Sequence, residues 1–174
     1  EATSYSVTLE SWNLNGSSQL TETDYVLSGG YEPYYLETFE EGTLRSQNWT
    51  IENPDADVSW ELFSVGGTTP GSIAAGIDFS NYTSITERDR LISPSFNLEG
   101  LSIASLEFQY AYAKRYPDFT DSLIVYVSGD CGENWTRVYA NGEDGNGSFA
   151  THEMTDDFWP MQPSDWCMSG WGAR

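Results

Sequence analysis

Two segments near the amino terminus alternate apolar and polar positions with a period of two: residues 4–10 (SYSVTLE) and residues 19–27 (QLTETDYVL), separated by WNLNGSS. That period puts every second side chain on one face of a sheet, and a Gly- and Asn-containing break between two such runs predicts a β-hairpin. A lone hairpin is marginal in water, so this one is expected to lie against a partner. Ser28-Gly29-Gly30 then reads as a linker, closed by Glu32-Pro33.

Beyond the linker, short apolar and aromatic runs recur between clusters of Gly, Pro, Asn and Asp. They cover residues 34–39, 49–52, 59–65, 72–79, 90–96, 104–113, 122–128 and 135–139. Eight strands with polar turns predict an all-β chain, a jelly-roll β-sandwich preceded by the hairpin, and no stretch has helical periodicity. SLEFQYAYA alternates through Leu106, Phe108, Tyr110 and Tyr112, and DSLIVYVS through Leu123, Val125 and Val127. Both are expected to be central strands. Residues 151–174 lack alternation, carry three tryptophans, and are expected to hold no closing strand.

Composition narrows the partners. Asp and Glu number 27 against 7 Lys and Arg, a formal net charge of −20, so a phosphate backbone or an anionic membrane finds no cationic face to bind. No apolar run approaches the roughly 20 residues that span a bilayer, which excludes insertion as a helix, and no signal-peptide pattern is present. Two cysteines, Cys131 and Cys167, stand outside any CxxC or Cys/His arrangement. In an oxidising compartment they form one disulfide or stay as two thiols; pairing is the expectation carried forward.

A catalytic centre is not expected. The single histidine, His152, lies in the polar stretch FATHEMTDD, and neither HExxH nor GxSxG occurs. Glycoside hydrolysis needs only two carboxylates, but nothing in the pattern selects a pair from so many. Aromatic residues are 15% of the chain, and a planar ring matches the apolar face of a pyranose. Trp159, Trp166 and Trp171 in the tail, with Tyr31, Tyr34 and Tyr35 at the linker, are the candidates for such a platform. Packing competes for the tail tryptophans, and Trp49, Trp60 and Trp135 lie in strand patterns that point to the core. The loops NPDAD (residues 53–57) and EDGNGS (residues 143–148) resemble calcium loops superficially, but ordinary turn chemistry accounts for both. N-x-S/T sequons fall at Asn15, Asn48, Asn81, Asn134 and Asn146.

The order of motifs GYEPYYLETFEEG, NWTIENPDADVSWE, RDRLISPSFNLEG, LEFQYAYA and DSLIVYVSGDCGENWTRVY resembles the MAM-like jelly-roll domain called cleaved adhesin or choice-of-anchor J. That domain is found in bacterial proteins exported by type IX secretion. Upstream, SYSVTLESWNLNGSSQLTETDYVL resembles the last two strands of a PKD (polycystic kidney disease) domain. The resemblance implies residues 1–28 as the end of a PKD-like domain and residues 31–174 as the jelly roll. The family runs on past WCMSGWGA into a further strand pair, so the sheets are expected to be completed by neighbouring domains or subunits.

The resemblance also implies a secreted or cell-surface location and a site for calcium. Glu40 of TFEEG falls on the family's TFE glutamate, while Asp89 and Asp121 stand where strands begin and carboxylates can join it; solvated turn residues are the alternative reading. The expected function is non-catalytic: an adhesion or accessory module attaching its parent to a glycan, a cell surface or a protein substrate. The rival is a structural spacer or assembly domain of a secreted hydrolase such as a pappalysin-type zinc metallopeptidase.

Overall fold

Strands supply the regular structure, as the alternating runs require. The computed structural model describes residues 3–13, 16–28, 30–31, 34–68, 71–82, 86–118, 121–142 and 149–172. Among them are ten strands, two 3-10 turns and no α-helix, so the chain is all-β. The strands are β1 (Thr3–Asn13), β2 (Gly16–Ser28), β3 (Thr50–Glu52), β4 (Glu61–Ser64) and β5 (Ile73–Gly76). They continue with β6 (Arg90–Ile92), β7 (Ser105–Tyr110), β8 (Ser122–Val127), β9 (Thr136–Gly142) and β10 (Cys167–Gly172). Pairing is two by two: β1 with β2, β3 with β6, β4 with β5, β7 with β10, and β8 with β9. No larger sheet of a sandwich is among the described pairings.

The chain divides into two compact units, residues 1–63 with 74–99, and residues 64–73 with 100–174. In the first, the expected hairpin forms as β1 and β2, antiparallel from Thr3 opposite Ser28 to Asn13 opposite Gly16. A register irregularity between Thr8 and Glu10 accommodates its length. The 3-10 turn Arg45–Gln47 lies beside β2, and Leu44, just before it, is buried. β3 and β6 pair Thr50 with Ile92, Ile51 with Leu91 and Glu52 with Arg90. The Arg90–Glu52 ion pair, at 2.6 Å, is exposed on both sides and so adds only about 0–1 kcal/mol.

In the second unit, β7 and β10 run antiparallel from Tyr110 opposite Cys167 to Ser105 opposite Gly172. β8 and β9 pair from Ser122–Gly142 to Val127–Thr136, with an irregularity at Val125/Tyr126. Aromatic contacts join these pieces: Tyr139 of β9 meets Phe108 of β7 edge-on at 5.6 Å. Phe149 stacks on Tyr110 at 5.2 Å and on Tyr112 at 4.7 Å. Phe149, Tyr112 and Val65 are this unit's buried apolar residues among those described. The turn at Gly66-Gly67 is closed by the tail: Gly66 N–H donates to Pro160 O at 2.9 Å, and Trp166 Nε1 donates to Gly66 O at 2.7 Å. Gly67 has φ 73°, and a Cβ there would overlap the backbone of Gln162 and Pro163, so this position needs glycine twice over.

Four expectations are corrected. Residues 34–39 form no strand, because Tyr34 and Phe39 adopt φ of 70° and 59° and the N–H groups of Thr38 and Phe39 go to a side chain instead of a ladder. β7 and β8 are not central: each has one described partner, and Leu106 is 43% exposed. The tail does contain a strand, β10, whose backbone pairs without alternating apolar side chains. Trp135 is 44% exposed rather than core, since it stands at the start of β9 beside the turn that ends in Asn134.

Candidate functional site

The segment that fails to become a strand builds the most distinctive geometry of the first unit. Tyr31 is pinned by its backbone, donating to Ser95 O and accepting from Asn97 N–H, both at 2.7 Å, in a parallel bridge to Phe96. Gly30, at φ 71°, sets up this approach; a Cβ there would press on the backbone of Phe96 and Asn97. The rings of Tyr31 and Tyr35 lie 4.8 Å apart, tilted by 38°, with Phe96 5.3 Å from Tyr35. The Tyr31 hydroxyl accepts from Asn48 Nδ2 at 3.2 Å.

Glu37 holds this arrangement together. Its Oε1 accepts from the backbone N–H of Thr38 (2.9 Å) and Phe39 (2.8 Å). Its Oε2 accepts from the Tyr35 hydroxyl (2.5 Å) and Trp49 Nε1 (2.9 Å). All four acceptor positions of one carboxylate are thereby filled. Burial first, and the bond to Glu37 second, keep the Tyr35 hydroxyl well above its ordinary pKa. Phe39 packs on Trp49 with ring centroids 5.5 Å apart.

An open cleft of about 360 Å³ runs along this segment. Tyr31, Tyr35 and Leu36 contribute to its lining, together with the polar residues Glu37, Thr38, Glu41, Ser46 and Gln47. Glu41 is exposed and makes no hydrogen bond or ion pair to another described residue. Gln47 Oε1 is buried and has no hydrogen-bond partner among the described residues. Tyr34, next in the chain to the cleft, is 99% exposed at a left-handed φ of 70°, a conformation that costs a bulky residue about 1–3 kcal/mol.

No family model, curated protein or solved structure matches this chain. The likeness to the cleaved-adhesin and PKD domains is therefore carried by the sequence motifs alone.

The other expected site residues are divided between the two units. Glu40 is exposed in the first unit. Asp89, in the same unit, accepts from Ser59 Oγ at 2.7 Å and from the Tyr82 hydroxyl at 2.8 Å; that hydroxyl also lies 3.0 Å from Asp55 Oδ2. Burial and these two carboxylates raise the Tyr82 pKa. Asp121 belongs to the second unit and accepts from the Tyr112 hydroxyl at 2.8 Å. Among the described residues no three His, Cys, Asp or Glu side chains gather as a group that could hold a metal ion. The NPDAD loop is closed by its own side chains, Asn53 Nδ2 to Asp57 O and Asp57 N–H to Asp55 Oδ1, the turn chemistry expected of it. The EDGNGS loop and the sequons at Asn15 and Asn146 lie outside the described residues.

In the tail, Trp166 holds the Gly66 carbonyl, and Trp159 is 44% exposed. Trp171 is placed only by its backbone, opposite Leu106 in β10. His152 is exposed, with its ring 4.9 Å from Phe158. Cys131 and Cys167 are both exposed and stand as free thiols in this structure. Cys131 sits in the turn after β8 at φ 59°, and Cys167 opens β10 opposite Tyr110.

Sequence reasoning named Tyr31, Tyr34 and Tyr35 but missed Glu37, Glu41 and Gln47. The available signal was an acidic residue two positions after a tyrosine, inside a run whose apolar character drew attention to strands.

Proposed function

We propose that this chain is a non-catalytic extracellular binding module that holds a glycan in the tyrosine-lined cleft on behalf of a larger secreted protein. The carrying observation is the cleft itself: two packed tyrosine rings, Tyr35 held by Glu37 and Tyr31 by Asn48, beside an exposed carboxylate and a fully exposed Tyr34 on strained backbone. Rings pre-positioned by hydrogen bonds lose little freedom on binding, which favours affinity. Backbone strain of this kind clusters at ligand-contacting positions. The jelly-roll arrangement, the secreted location and the PKD-like reading of residues 1–28 enter the proposal from the sequence motifs. A stabilising calcium ion enters from the same resemblance, and a melting temperature lowered by chelation and restored by calcium is its test.

The test of the main reading is retention of the 174-residue chain on a panel of immobilised polysaccharides. At least one should retain it, without releasing shorter sugars, and a Tyr31→Ala/Tyr34→Ala variant should elute early. Failure of every polysaccharide to retain the chain contradicts the proposal.

A second reading, a structural or assembly domain, is favoured by the exposed apolar side chains of Leu101, Ile103 and Leu106 ahead of and within β7. Exposed apolar surface next to a strand with one described partner suits a docking edge. Concentration-dependent self-association in sedimentation, abolished by Ile103→Asp, would support that reading.

A further inference from the structure

The polar lining of the cleft is weighted to one kind of partner. Among its lining residues there is no lysine or arginine. Glu37 is already filled by four donors, whereas the Glu41 carboxylate is exposed and unpaired among the described residues. Gln47 Oε1 is an acceptor without a donor, buried in a residue of the cleft wall. Leaving a buried acceptor unmatched is costly, and a ligand donor can recover that cost if the side chain turns outward. The whole chain carries a formal charge of −20, so the potential around an acidic cleft attracts cations and repels anionic sugars.

The apolar wall limits what the cation is attached to. The rings of Tyr31 and Tyr35 pack on one another, with centroids 4.8 Å apart and planes tilted by 38°, and with Leu36 these residues supply the apolar part of the lining. A cleft of about 360 Å³ lies within the size range of small-ligand sites. The apolar carbons of a pyranose suit such a lining, and its hydroxyls supply the donors. Resting on the binding-module reading above, we propose that the ligand is a cationic amino sugar. Its ring packs against Tyr31 and Tyr35, its ammonium pairs with Glu41, and a neighbouring hydroxyl donates to Gln47 once that side chain turns toward the cleft. A lysine-rich peptide shares the charge but not the flat ring, and is tested as a competitor.

Titration calorimetry of the full 174-residue chain with a chitosan tetrasaccharide, its fully N-acetylated counterpart and a tetralysine peptide separates the possibilities. It is done in mildly acidic, low-salt buffer in which the sugar amines are charged. The amino sugar should bind at least about tenfold more tightly than the other two. Glu41→Gln, at an exposed position, should abolish that preference. Equal affinity for both sugars, or a preference that survives Glu41→Gln, overturns the amino-sugar assignment but leaves the binding module standing. Tetralysine binding as tightly as the amino sugar also overturns it. If no sugar binds, in this titration or on the polysaccharide panel, both readings fall together.

Discussion

The chain has two aromatic-rich regions that read alike in sequence, the tyrosines at residues 31–35 and the tryptophans at residues 159–171, and the fold treats them differently. In the tail, the Trp166 indole N–H is bound to the Gly66 carbonyl, and the chain closes tightly over the Gly66-Gly67 turn. In the first unit, the Tyr35 hydroxyl is equally engaged, by Glu37, yet its ring lines an open cleft. Anchoring the polar end of an aromatic side chain therefore does not decide whether its face is available. The backbone decides it. Glycines let the tail approach to van der Waals contact, whereas left-handed Tyr34 and Phe39 keep residues 34–39 out of a ladder and leave space beside them.

That contrast can be tested by breaking each region at its anchor. Gly67→Ala should have the largest effect, because it adds both a strained φ and overlap with Gln162; about 3 kcal/mol is expected. Urea unfolding followed by tryptophan fluorescence measures it, and ligand binding in the cleft of the folded variant should persist. Glu37→Ala removes the acceptor of four donors and should cost about 2 kcal/mol, since water reaches some of the groups it strands. This variant should lose glycan binding altogether, and Glu37→Gln should lie between it and the parent.

The two regions should also fail at opposite ends of the pH scale. The Asp165 carboxyl is held below its usual range by the backbone N–H groups of Met161 and Gln162. A depressed folded pKa gives stability that is present above the unfolded value, near about 4, and lost as pH falls through the folded one. Acid should thus loosen the tail first, and Asp165→Asn should remove that pH dependence. Tyr35 has the reverse sign: its pKa is raised, so its contribution is intact below the unfolded value of about 10 and disappears as pH rises through the folded one. Amide exchange at residues 161–165 and 35–39, followed across pH, reads both. The smallest effect concerns sulfur. Both thiols should react with maleimide in unreduced protein, and reductant should leave the melting temperature unchanged.

Much of the fold was legible in the sequence where alternation and packing agree. The hairpin, β8 and β9 are found at the expected positions, because Val7, Leu123 and Val125 sit in runs whose period matches a pleated strand. Legibility ended where side chains replace the ladder or the ladder needs no side chains. The run Tyr34–Phe39 has the composition of a strand, but one carboxylate takes the N–H groups that a strand would share. β10 has the opposite character, with Gly170 and Gly172 in a strand that pairs through its backbone. The tyrosines of the cleft were visible as aromatics. Glu41 and Gln47 were not, because nothing marks one acidic residue among 27, or one glutamine, as part of a cleft wall.

The most direct test of the central claim is to map the bound glycan by amide chemical shifts on isotopically labelled chain. The account predicts that a saturating glycan shifts Tyr31, Tyr35, Leu36, Glu41 and Gln47, with Trp159 and Trp166 unmoved. Shifts confined to the tryptophan tail, with the tyrosine segment unchanged, would contradict it.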